Sequence, residues 1–274
     1  MIVFPNCKIN LGLRVIRKRN DDFHDLESVF YPLLFNDALE VIQVTDKSEL
    51  AVNFTFSGLT IDGKIENNLC VKAYELLKKD FSQLTALQLH LHKAIPVGSG
   101  LGGGSSDGAF TLKLLNQKFN LGISTGQLLD YALQLGSDCP FFIINKPSIA
   151  RGRGEILETI PVDLSSYKIV IVYPGIHIST EWAFSQLKVS HTFQVSDAFK
   201  KPIETWKEEL KNDFEEAIFN KHPEIQKIKE DLYNIGAIYA SLSGSGSTVY
   251  GIFKKDVKIS ISFPENYFVK ELTG

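Results

Sequence analysis

A glycine-rich segment between residues 98 and 108 constrains this chain more than any other feature of its sequence. Six of its eleven residues are glycine, in the order Gly-Ser-Gly-Leu-Gly-Gly-Gly-Ser-Ser-Asp-Gly. Because glycine loses more backbone entropy on folding than other residues, such density indicates a geometric demand on the backbone. A backbone that must come close to a phosphate group would have that demand. A helix is predicted over residues 106–119, and the positive end of its dipole would face the same phosphate. A flexible linker is the alternative, but Gly/Ser linkers rarely lie between a strand and a helix.

The surrounding residues argue against two common phosphate loops. A Walker A loop ends in Gly-Lys-Ser/Thr, and no such ending follows these glycines. Gly98, Gly100 and Gly103 satisfy the G-x-G-x-x-G pattern of dinucleotide-binding folds, but the strand at 87–93 alternates apolar and polar residues. A dinucleotide fold needs a buried, nearly all-apolar strand at that place. The context therefore favours a phosphate loop in an α+β protein.

Composition narrows the class of protein further. The 274 residues are 44% hydrophobic, enough for a substantial core in one large or two small domains. A net charge of −3 and a pI of about 6.1 predict no nucleic-acid partner. The three cysteines are widely spaced and form no zinc pattern, which indicates a reducing compartment. Without a signal peptide or an apolar run near the roughly 18 residues of a membrane span, the chain is predicted to be cytoplasmic, with no membrane partner.

Hydrophobic periodicity predicts both strands and helices along the chain. Strands are expected at residues 9–15, 28–34, 38–44, 50–56, 87–93, 141–144, 168–173, 237–242, 247–253 and 267–272. Helices are expected at 67–79 with Asn67 as N-cap, at 106–119, 203–220 and 223–234, and between a capping box at 124–127 and Gly136. The polar, glycine-rich stretch at 151–155 is the candidate boundary between domains at 1–152 and 153–274.

Several motifs, in order along nearly the whole chain, resemble one family of enzymes. The loop at 96–107 resembles the phosphate loop of the small-molecule kinases related to galactokinase, homoserine kinase and mevalonate kinase. Motifs at 8–11, 23–24, 135–140, 152–155 and 242–246 are similar to the branch that phosphorylates a cytidylylated methylerythritol. The resemblance implies an α+β fold of two domains, the N-terminal one like ribosomal protein S5 domain 2 and the C-terminal one ferredoxin-like. It also implies ATP with Mg²⁺ and a small-molecule substrate, and we expect a monomer or a weak homodimer.

The same resemblance implies the residues of the active site. It assigns Lys8 and Asp138 to catalysis, with Asp138 accepting the proton of the acceptor hydroxyl and Lys8 offsetting phosphoryl charge. The residues expected to bind ATP are Asn68, Lys93, Pro96, Gly98, Gly100, Leu101, Gly102, Gly103, Gly104, Ser105 and Ser106. The residues expected to bind the cytidylylated substrate are Asn10, Phe23, His24, Thr180 and Phe184. Among these, the histidine is expected on the cytosine edge and the two phenyl rings against the base.

Simpler alternatives exist for single residues. Asp138 in a turn is also typical of a capping residue, Lys8 of a solvated lysine, and Phe184 of a core residue. The segment 243–246 is either a loop near the substrate phosphates or a tight turn.

The chain also departs from the family at three places. Phe23 stands where the family usually has tyrosine, so the ring remains and the hydroxyl is lost. Gly103 or Gly104 stands where some relatives have a serine that reaches the metal, which leaves the metal ligands open. Residues 256–264 are a poor match to the helix usually found before the last strand.

Three alternatives exist for the function. The nearest is a kinase of the same family with another alcohol, such as homoserine or mevalonate. The others are a catalytically silent nucleotide-binding protein and a nucleic-acid-binding protein. The set Phe23, His24 and Phe184 favours the cytidylylated substrate, because the other acceptors carry no base.

Overall fold

The computed structural model of this protein describes residues 1–44, 52–187, 195–260 and 262–274. The chain divides into two compact units, each discontinuous in sequence. The first comprises Met1–Cys7, Phe35–Val97 and Gly102–Asn145, and the second comprises Lys8–Leu34, Gly98–Leu101 and Lys146–Gly274. The expected domain boundary after residue 152 falls inside the second unit, and the division into domains at 1–152 and 153–274 stays a prediction.

The described residues form both helices and strands. The strands are β1 (Ile2–Val3), β2 (Asn6–Lys18), β3 (His24–Asn36), β4 (Ala38–Gln43), β5 (Val52–Gly58), β6 (Leu87–Lys93), β7 (Ser148–Gly152), β8 (Ile156–Thr159), β9 (Tyr167–Tyr173), β10 (Tyr239–Leu242), β11 (Val249–Lys254) and β12 (Phe268–Thr273). The α-helices are α1 (Leu69–Asp80), α2 (Gly103–Lys118), α3 (Thr125–Leu135), α4 (Cys139–Ile144), α5 (Thr180–Ser185), α6 (Val195–Ala198), α7 (Trp206–Glu209), α8 (Glu215–Lys221) and α9 (Pro223–Asn234). Single 3₁₀ turns lie at Ile65–Asn67 and Ile203–Thr205.

The first unit contains a sheet in the order β1-β4-β6-β5, in which β6 is antiparallel to β4 and parallel to β5. The predicted alternation at 87–93 is confirmed as β6, because Leu87, Leu89 and Leu91 are fully buried while the residues between them are not. The predicted strand at 50–56 corresponds to β5, although residues 50 and 51 lie outside the described residues.

Side-chain caps fix two of the helices in this unit. The side chain of Asn68 accepts a hydrogen bond from the Cys70 N–H at 2.9 Å, so the N-cap of α1 is Asn68 and the predicted Asn67 was wrong by one residue. The capping box at the start of α3 is confirmed. Ser124 Oγ accepts from the Gln127 N–H at 3.4 Å, and Gln127 Oε1 accepts from the Ser124 N–H at 3.0 Å.

Two elements of the first unit differ from the prediction. Residues 141–144 belong to helix α4 and not to a strand. The proline at the start of α4 favours helix, and a short apolar run does not distinguish a buried strand from a buried helix. Helix α2 begins at Gly103, three residues before the predicted start, because the low helix propensity of glycine hides its first turn in the sequence.

The second unit contains two sheets, in the orders β2-β3-β7-β8 and β10-β11-β9-β12. The predicted hairpin is confirmed, since β10 and β11 pair antiparallel from Tyr239↔Ile252 to Leu242↔Val249. The tail forms the strand β12, as predicted, and this strand lies antiparallel to β9. One face of the second sheet packs on α8 and α9 through a core that includes Val170, Val172, Ile218, Ile225 and Ile228.

The predicted continuous helix at 203–220 was wrong. The chain forms a 3₁₀ turn, then α7, and resumes helix only at Glu215. Between them the backbone pairs with β2, because the Leu13 N–H donates to Lys211 O at 3.0 Å and the Asp213 N–H donates to Leu13 O at 2.9 Å. Asn212 Nδ2 donates to the carbonyl oxygens of Leu242 and Gly244 at 2.9 and 2.8 Å. These long-range bonds override the local helical periodicity.

Two further observations concern the whole of the described chain. None of its helices has both the length and the apolar character that crossing a bilayer requires. The three cysteines are buried and form no disulfide.

Candidate active site

The glycine loop ends in the first turn of α2. Gly98, Gly100 and Gly102 have φ angles of 66°, 85° and 71°, in the left-handed region that favours glycine. Gly102 is the N-cap, and the first helical bond runs from the Ser106 N–H to Gly102 O at 2.9 Å. The N–H groups of Gly103, Gly104 and Ser105 therefore have no partner within the helix. Together with the helix dipole, they form an anion-binding site of the kind that phosphate occupies.

Position 100 requires a glycine, because the backbone of another segment of the second unit comes very close to it. A Cβ atom at this position would lie 2.2 Å from the carbonyl oxygen of Ser243. The Ser243 hydroxyl donates to Gly100 O at 2.9 Å, and the Thr248 N–H donates to Ser99 O at 3.0 Å. The segment 243–246 therefore packs directly on residues 98–101 of the glycine loop.

Lys93, at the end of β6, lies beneath the start of α2 in the first unit. A Cβ atom on Gly103 would lie 3.0 Å from Lys93 Nζ. The ammonium donates to Asp107 Oδ2 at 2.7 Å and to Asp37 Oδ2. Asp37 Oδ1 also accepts from the N–H groups of residues 94 and 95, at 2.6 and 2.8 Å. Burial by itself lowers the pKa of Lys93, but the carboxylates of Asp107 and Asp37 outweigh it and the pKa is raised.

Two residues of this cluster, Lys93 and Asp107, line a cavity of about 200 Å³ in the first unit. Its polar wall contains Lys93, Asp107, Asn68 and the backbone of Gly104. Its apolar wall is formed by Phe54, Phe56, Ile61, Ile65, Leu69 and Val97. An apolar slot beside an anion-binding helix start is suited to a planar base joined to phosphate.

Asp138 precedes α4 in the first unit. Its backbone is helical, and its carboxylate accepts no capping hydrogen bond from the described amides of that helix. The capping interpretation of this aspartate therefore does not hold. Next to it, burial raises the pKa of the Cys139 thiol to about 12, so that thiol is not a nucleophile at neutral pH.

Lys8 and Asn10 share one face of β2 in the second unit. Lys8 is only 3% exposed, so it is not a solvated surface lysine. Its ammonium donates to Asn10 Oδ1 at 2.5 Å and lies 4.6 Å from the centre of the Phe30 ring. Asn10 Nδ2 donates to Ser28 Oγ at 2.9 Å, and the Ser28 hydroxyl donates to Gly12 O at 2.6 Å. This chain of bonds fixes the orientation of the asparagine and of the ammonium.

The backbone of the same strand holds the glycine loop. The Lys8 N–H donates to Leu101 O at 2.9 Å, and the Asn10 N–H donates to Ser243 Oγ at 3.4 Å. Lys8, Asn10, Leu101 and segment 243–246 are therefore neighbours within the second unit.

Aromatic side chains form a second cluster in this unit. The rings of His24 and Phe184 stack with centroids 4.7 Å apart and planes 22° apart. Phe214 meets Phe184 edge-on at 4.9 Å, so Phe184 packs on the core and also supports the imidazole. Burial, with a smaller contribution from Lys18, lowers the pKa of His24. The imidazole is therefore neutral at pH 7, with one donor and one acceptor nitrogen.

Two other predicted substrate residues lie in the second unit. Phe23 is 49% exposed, and the Arg153 guanidinium lies 4.5 Å from its ring centre. Thr180 opens α5, and its hydroxyl is 3.2 Å from that of Ser245. Segment 243–246 thus contacts both the glycine loop and a predicted substrate residue.

The predicted site residues fall into two sets, one in each unit. The first unit holds Asn68, Lys93, Pro96, Gly102, Gly103, Gly104, Ser105, Ser106 and Asp138. The second unit holds Lys8, Asn10, Phe23, His24, Gly98, Gly100, Leu101, Thr180 and Phe184. Sequence reasoning missed Asp37, Asp107, Ser28 and Arg153, which contact members of these sets. Two of these had a signal in the sequence: Asp107 is the first acidic residue after the glycine loop, and Arg153 lies within the motif at 152–155.

Two family models match the chain. The GHMP kinases N terminal domain matches residues 68–146, and the GHMP kinases C terminal model matches residues 195–261. With the phosphate loop at the start of α2, these matches define the protein as a GHMP kinase.

Relatives identify the branch of that class. A 4-diphosphocytidyl-2-C-methyl-D-erythritol kinase from Azobacteroides pseudotrichonymphae is 52% identical over 93% of this chain and 94% of its own length. Another from Bacteroides thetaiotaomicron is 49% identical over 93% of each. The crystal structure of a 4-(cytidine 5'-diphospho)-2C-methyl-D-erythritol kinase, 25% identical, aligns over 100% of both chains with a TM-score of 0.80. This chain belongs to the 4-diphosphocytidyl-2-C-methyl-D-erythritol kinase family, and it is a kinase that uses ATP.

Solved structures of kinases named for other alcohols also resemble this chain, at lower sequence identity. A homoserine kinase from Cytophaga hutchinsonii is 15% identical, with a TM-score of 0.68 over 98% of this chain and 95% of the other. At that identity the likeness shows the fold alone. The predicted α+β class, with several sheets and the two GHMP parts, is confirmed.

Proposed function

We propose that this protein transfers the γ-phosphoryl group of ATP to the 2-hydroxyl of 4-diphosphocytidyl-2-C-methyl-D-erythritol, in the non-mevalonate route to isoprenoid precursors. The observation that carries this choice of acceptor is the His24–Phe184 stack. A neutral imidazole held by a phenyl ring offers a donor and an acceptor to the edge of a cytosine. A kinase for homoserine or mevalonate has no base to recognise and no use for this pair.

The phosphates of ATP are proposed to bind at the start of α2. The N–H groups of Gly103, Gly104 and Ser105, which have no partner within the helix, would hold the transferred end of the nucleotide. The apolar slot beside Phe54 and Leu69 would take the adenine. Phosphoryl transfer requires mainly positioning and charge compensation, which a preorganised backbone supplies.

Lys8 and Asp138 are proposed as the catalytic pair. The Lys8 ammonium, oriented by Asn10, would stabilise negative charge that develops on the phosphoryl oxygens. Asp138 would accept the proton of the acceptor hydroxyl as it attacks phosphorus. The proton thus moves from the substrate oxygen to a carboxylate oxygen, while the β-phosphate leaves with the bridging oxygen.

Mg²⁺ is proposed to accompany ATP. The described residues contain no group of three His, Cys, Asp or Glu side chains arranged for a metal. Mg²⁺ commonly keeps water and phosphate ligands and takes few from the protein, so a hydroxyl donor set fits it. Ser106 Oγ is buried beside the glycine loop without a partner among the described residues, and with Ser105 it would supply that contact. When bound, the ion would neutralise charge on the β- and γ-phosphates.

The domain roles, fold types and setting of the protein are also proposals. Residues 1–152 would form the ATP-binding domain, like ribosomal protein S5 domain 2, and residues 153–274 a ferredoxin-like substrate-side domain. The two family matches, at 68–146 and 195–261, fall on opposite sides of that boundary and support it. We propose a cytoplasmic enzyme that is a monomer or a weak homodimer, with a small-molecule substrate and no nucleic-acid or membrane partner.

An acceptor comparison tests the proposal. Purified protein, ATP and Mg²⁺ are assayed for ADP release with the cytidylylated substrate, with 2-C-methyl-D-erythritol 4-phosphate, with homoserine and with mevalonate. We expect turnover with the first acceptor alone, because the others lack cytidine. Equal or faster turnover with any of the other three would contradict the assignment of the acceptor.

A further inference from the structure

One buried carboxylate oxygen of the first unit accepts no hydrogen bond from the described residues. Asp107, on the first turns of α2, is 3% exposed. Its Oδ2 accepts from Lys93, but its Oδ1 has no hydrogen-bond partner among the residues that the structure describes. An unsatisfied buried polar atom costs about 1–3 kcal/mol, and such atoms in native proteins call for an explanation. A ligand group that bonds to Oδ1 supplies one.

The position of Asp107 in the cavity indicates which part of a ligand it meets. Both Asp107 and Gly104 line the cavity, and they lie three residues apart on one side of α2. Gly104 lies at the start of α2, where we place the phosphates of the nucleotide. The apolar wall with Phe54 and Phe56 is where we place its base. The part of a nucleotide that connects base and phosphate is the sugar.

Charge also selects the ligand group. Asp37, the other carboxylate of the cluster, is already satisfied by Lys93 and two backbone N–H groups. Asp107 Oδ1 needs a donor, and the oxygens of an ionised phosphate group only accept. A hydroxyl group can donate to this oxygen, so it fits the position.

We propose that Asp107 Oδ1 binds a ribose hydroxyl of the nucleotide and makes this kinase selective for ribonucleotides over deoxyribonucleotides. This inference rests on the proposed use of the cavity by ATP. Asp107 is a specificity-determining residue, and Lys93 holds it in place through the hydrogen bond to Oδ2.

The test compares ATP with its 2'-deoxy and 3'-deoxy analogues as phosphoryl donors. In the wild-type enzyme, the lost hydroxyl should lower kcat/KM about five- to 150-fold for at least one analogue, the equivalent of about 1–3 kcal/mol. In Asp107→Leu the ATP-to-deoxy ratio should fall to near one, because neither nucleotide can bond to leucine. Lys93 keeps Asp37 as its partner in this variant. Should that variant not fold, the smaller Asp107→Ala is compared in the same way, and the wild-type ratio tests the proposal without any substitution.

A matched control is Asp62→Asn, a carboxylate at the same cavity whose side chain is exposed. Its ATP-to-deoxy ratio should stay at the wild-type value. A wild-type ratio near one for both analogues would overturn the inference, as would an unchanged ratio in a folded Asp107→Leu enzyme. Absence of all turnover with ATP would instead overturn the proposed function, so the two failures are distinguishable.

Discussion

Gly104→Ala separates the structural from the functional use of glycine in the phosphate loop. Gly104 is the second residue of α2, and a Cβ atom there would meet nothing within 4 Å. An alanine in this helical position should stabilise the fold by up to about 0.5–1 kcal/mol. For a chain of this size that corresponds to a rise in Tm of about 1–3 °C. The methyl group would, however, stand where we place a phosphate oxygen.

The expected effect on ATP follows from the contacts that the methyl group displaces. A hydrogen bond to a charged group is worth about 1.5–3 kcal/mol, so KM for ATP should rise about tenfold or more. Gly126→Ala is a matched control, because Gly126 is also the second residue of its helix and also has nothing within 4 Å. The control should gain similar stability and keep its KM for ATP.

Thermal unfolding measures the stability of both variants, and initial-rate kinetics at varied ATP concentration measure their KM for ATP. The informative result is a Gly104→Ala enzyme that melts no lower than wild type and binds ATP poorly. If its KM for ATP equals that of wild type and of Gly126→Ala, the start of α2 does not hold the phosphates and the reasoning fails.

Three further outcomes are expected. Asp138→Asn should keep its Tm and lose about 10²–10⁴-fold in kcat, because an amide does not accept the hydroxyl proton. The control Asp130→Asn, at an exposed site, should keep full activity, and a change of threefold or less in the kcat of Asp138→Asn would show that Asp138 is not the base. Phe184→Ala should raise KM for the cytidylylated substrate about tenfold and leave KM for ATP unchanged, whereas Phe219→Ala, which removes another partly buried phenyl ring on the same core, should change neither. An equal rise in both KM values of Phe184→Ala would assign Phe184 to packing alone. Because the pKa of His24 lies below its usual value of 6.5, KM for the cytidylylated substrate should be nearly constant between pH 8 and 7 and rise on further acidification. A rise that persists in His24→Gln would have another source.

Local signals in the sequence predicted the elements that local chemistry decides. The alternation at 87–93 matched β6 residue for residue, and the capping box at Ser124 marked the start of α3. The glycine loop was recognisable because its spacing reflects a backbone demand, which Gly100 and Gly102 meet with left-handed conformations. The alternation and the capping box depend on neighbours within a few residues, whereas Gly100 also meets the distant carbonyl group of Ser243.

Features that depend on distant partners were not predictable in this way. The helical pattern over 203–220 breaks where Asn212 bonds to carbonyl groups about 30 residues further along the chain. The apolar run at 141–144 carries no periodicity that distinguishes helix from strand. Lys93 and Asp37 are 56 residues apart in sequence, so no local pattern shows that they form one buried cluster.

Product analysis shows which atom of the acceptor receives the phosphoryl group. The purified protein is incubated with ATP, Mg²⁺ and cytidylylated methylerythritol labelled with ¹³C at carbon 2, and the products are followed by phosphorus and carbon NMR. We expect one new phosphomonoester signal, coupled to the labelled carbon and formed in equal amount to ADP. ADP formation without that ester, or an ester on another carbon, would contradict the proposed reaction.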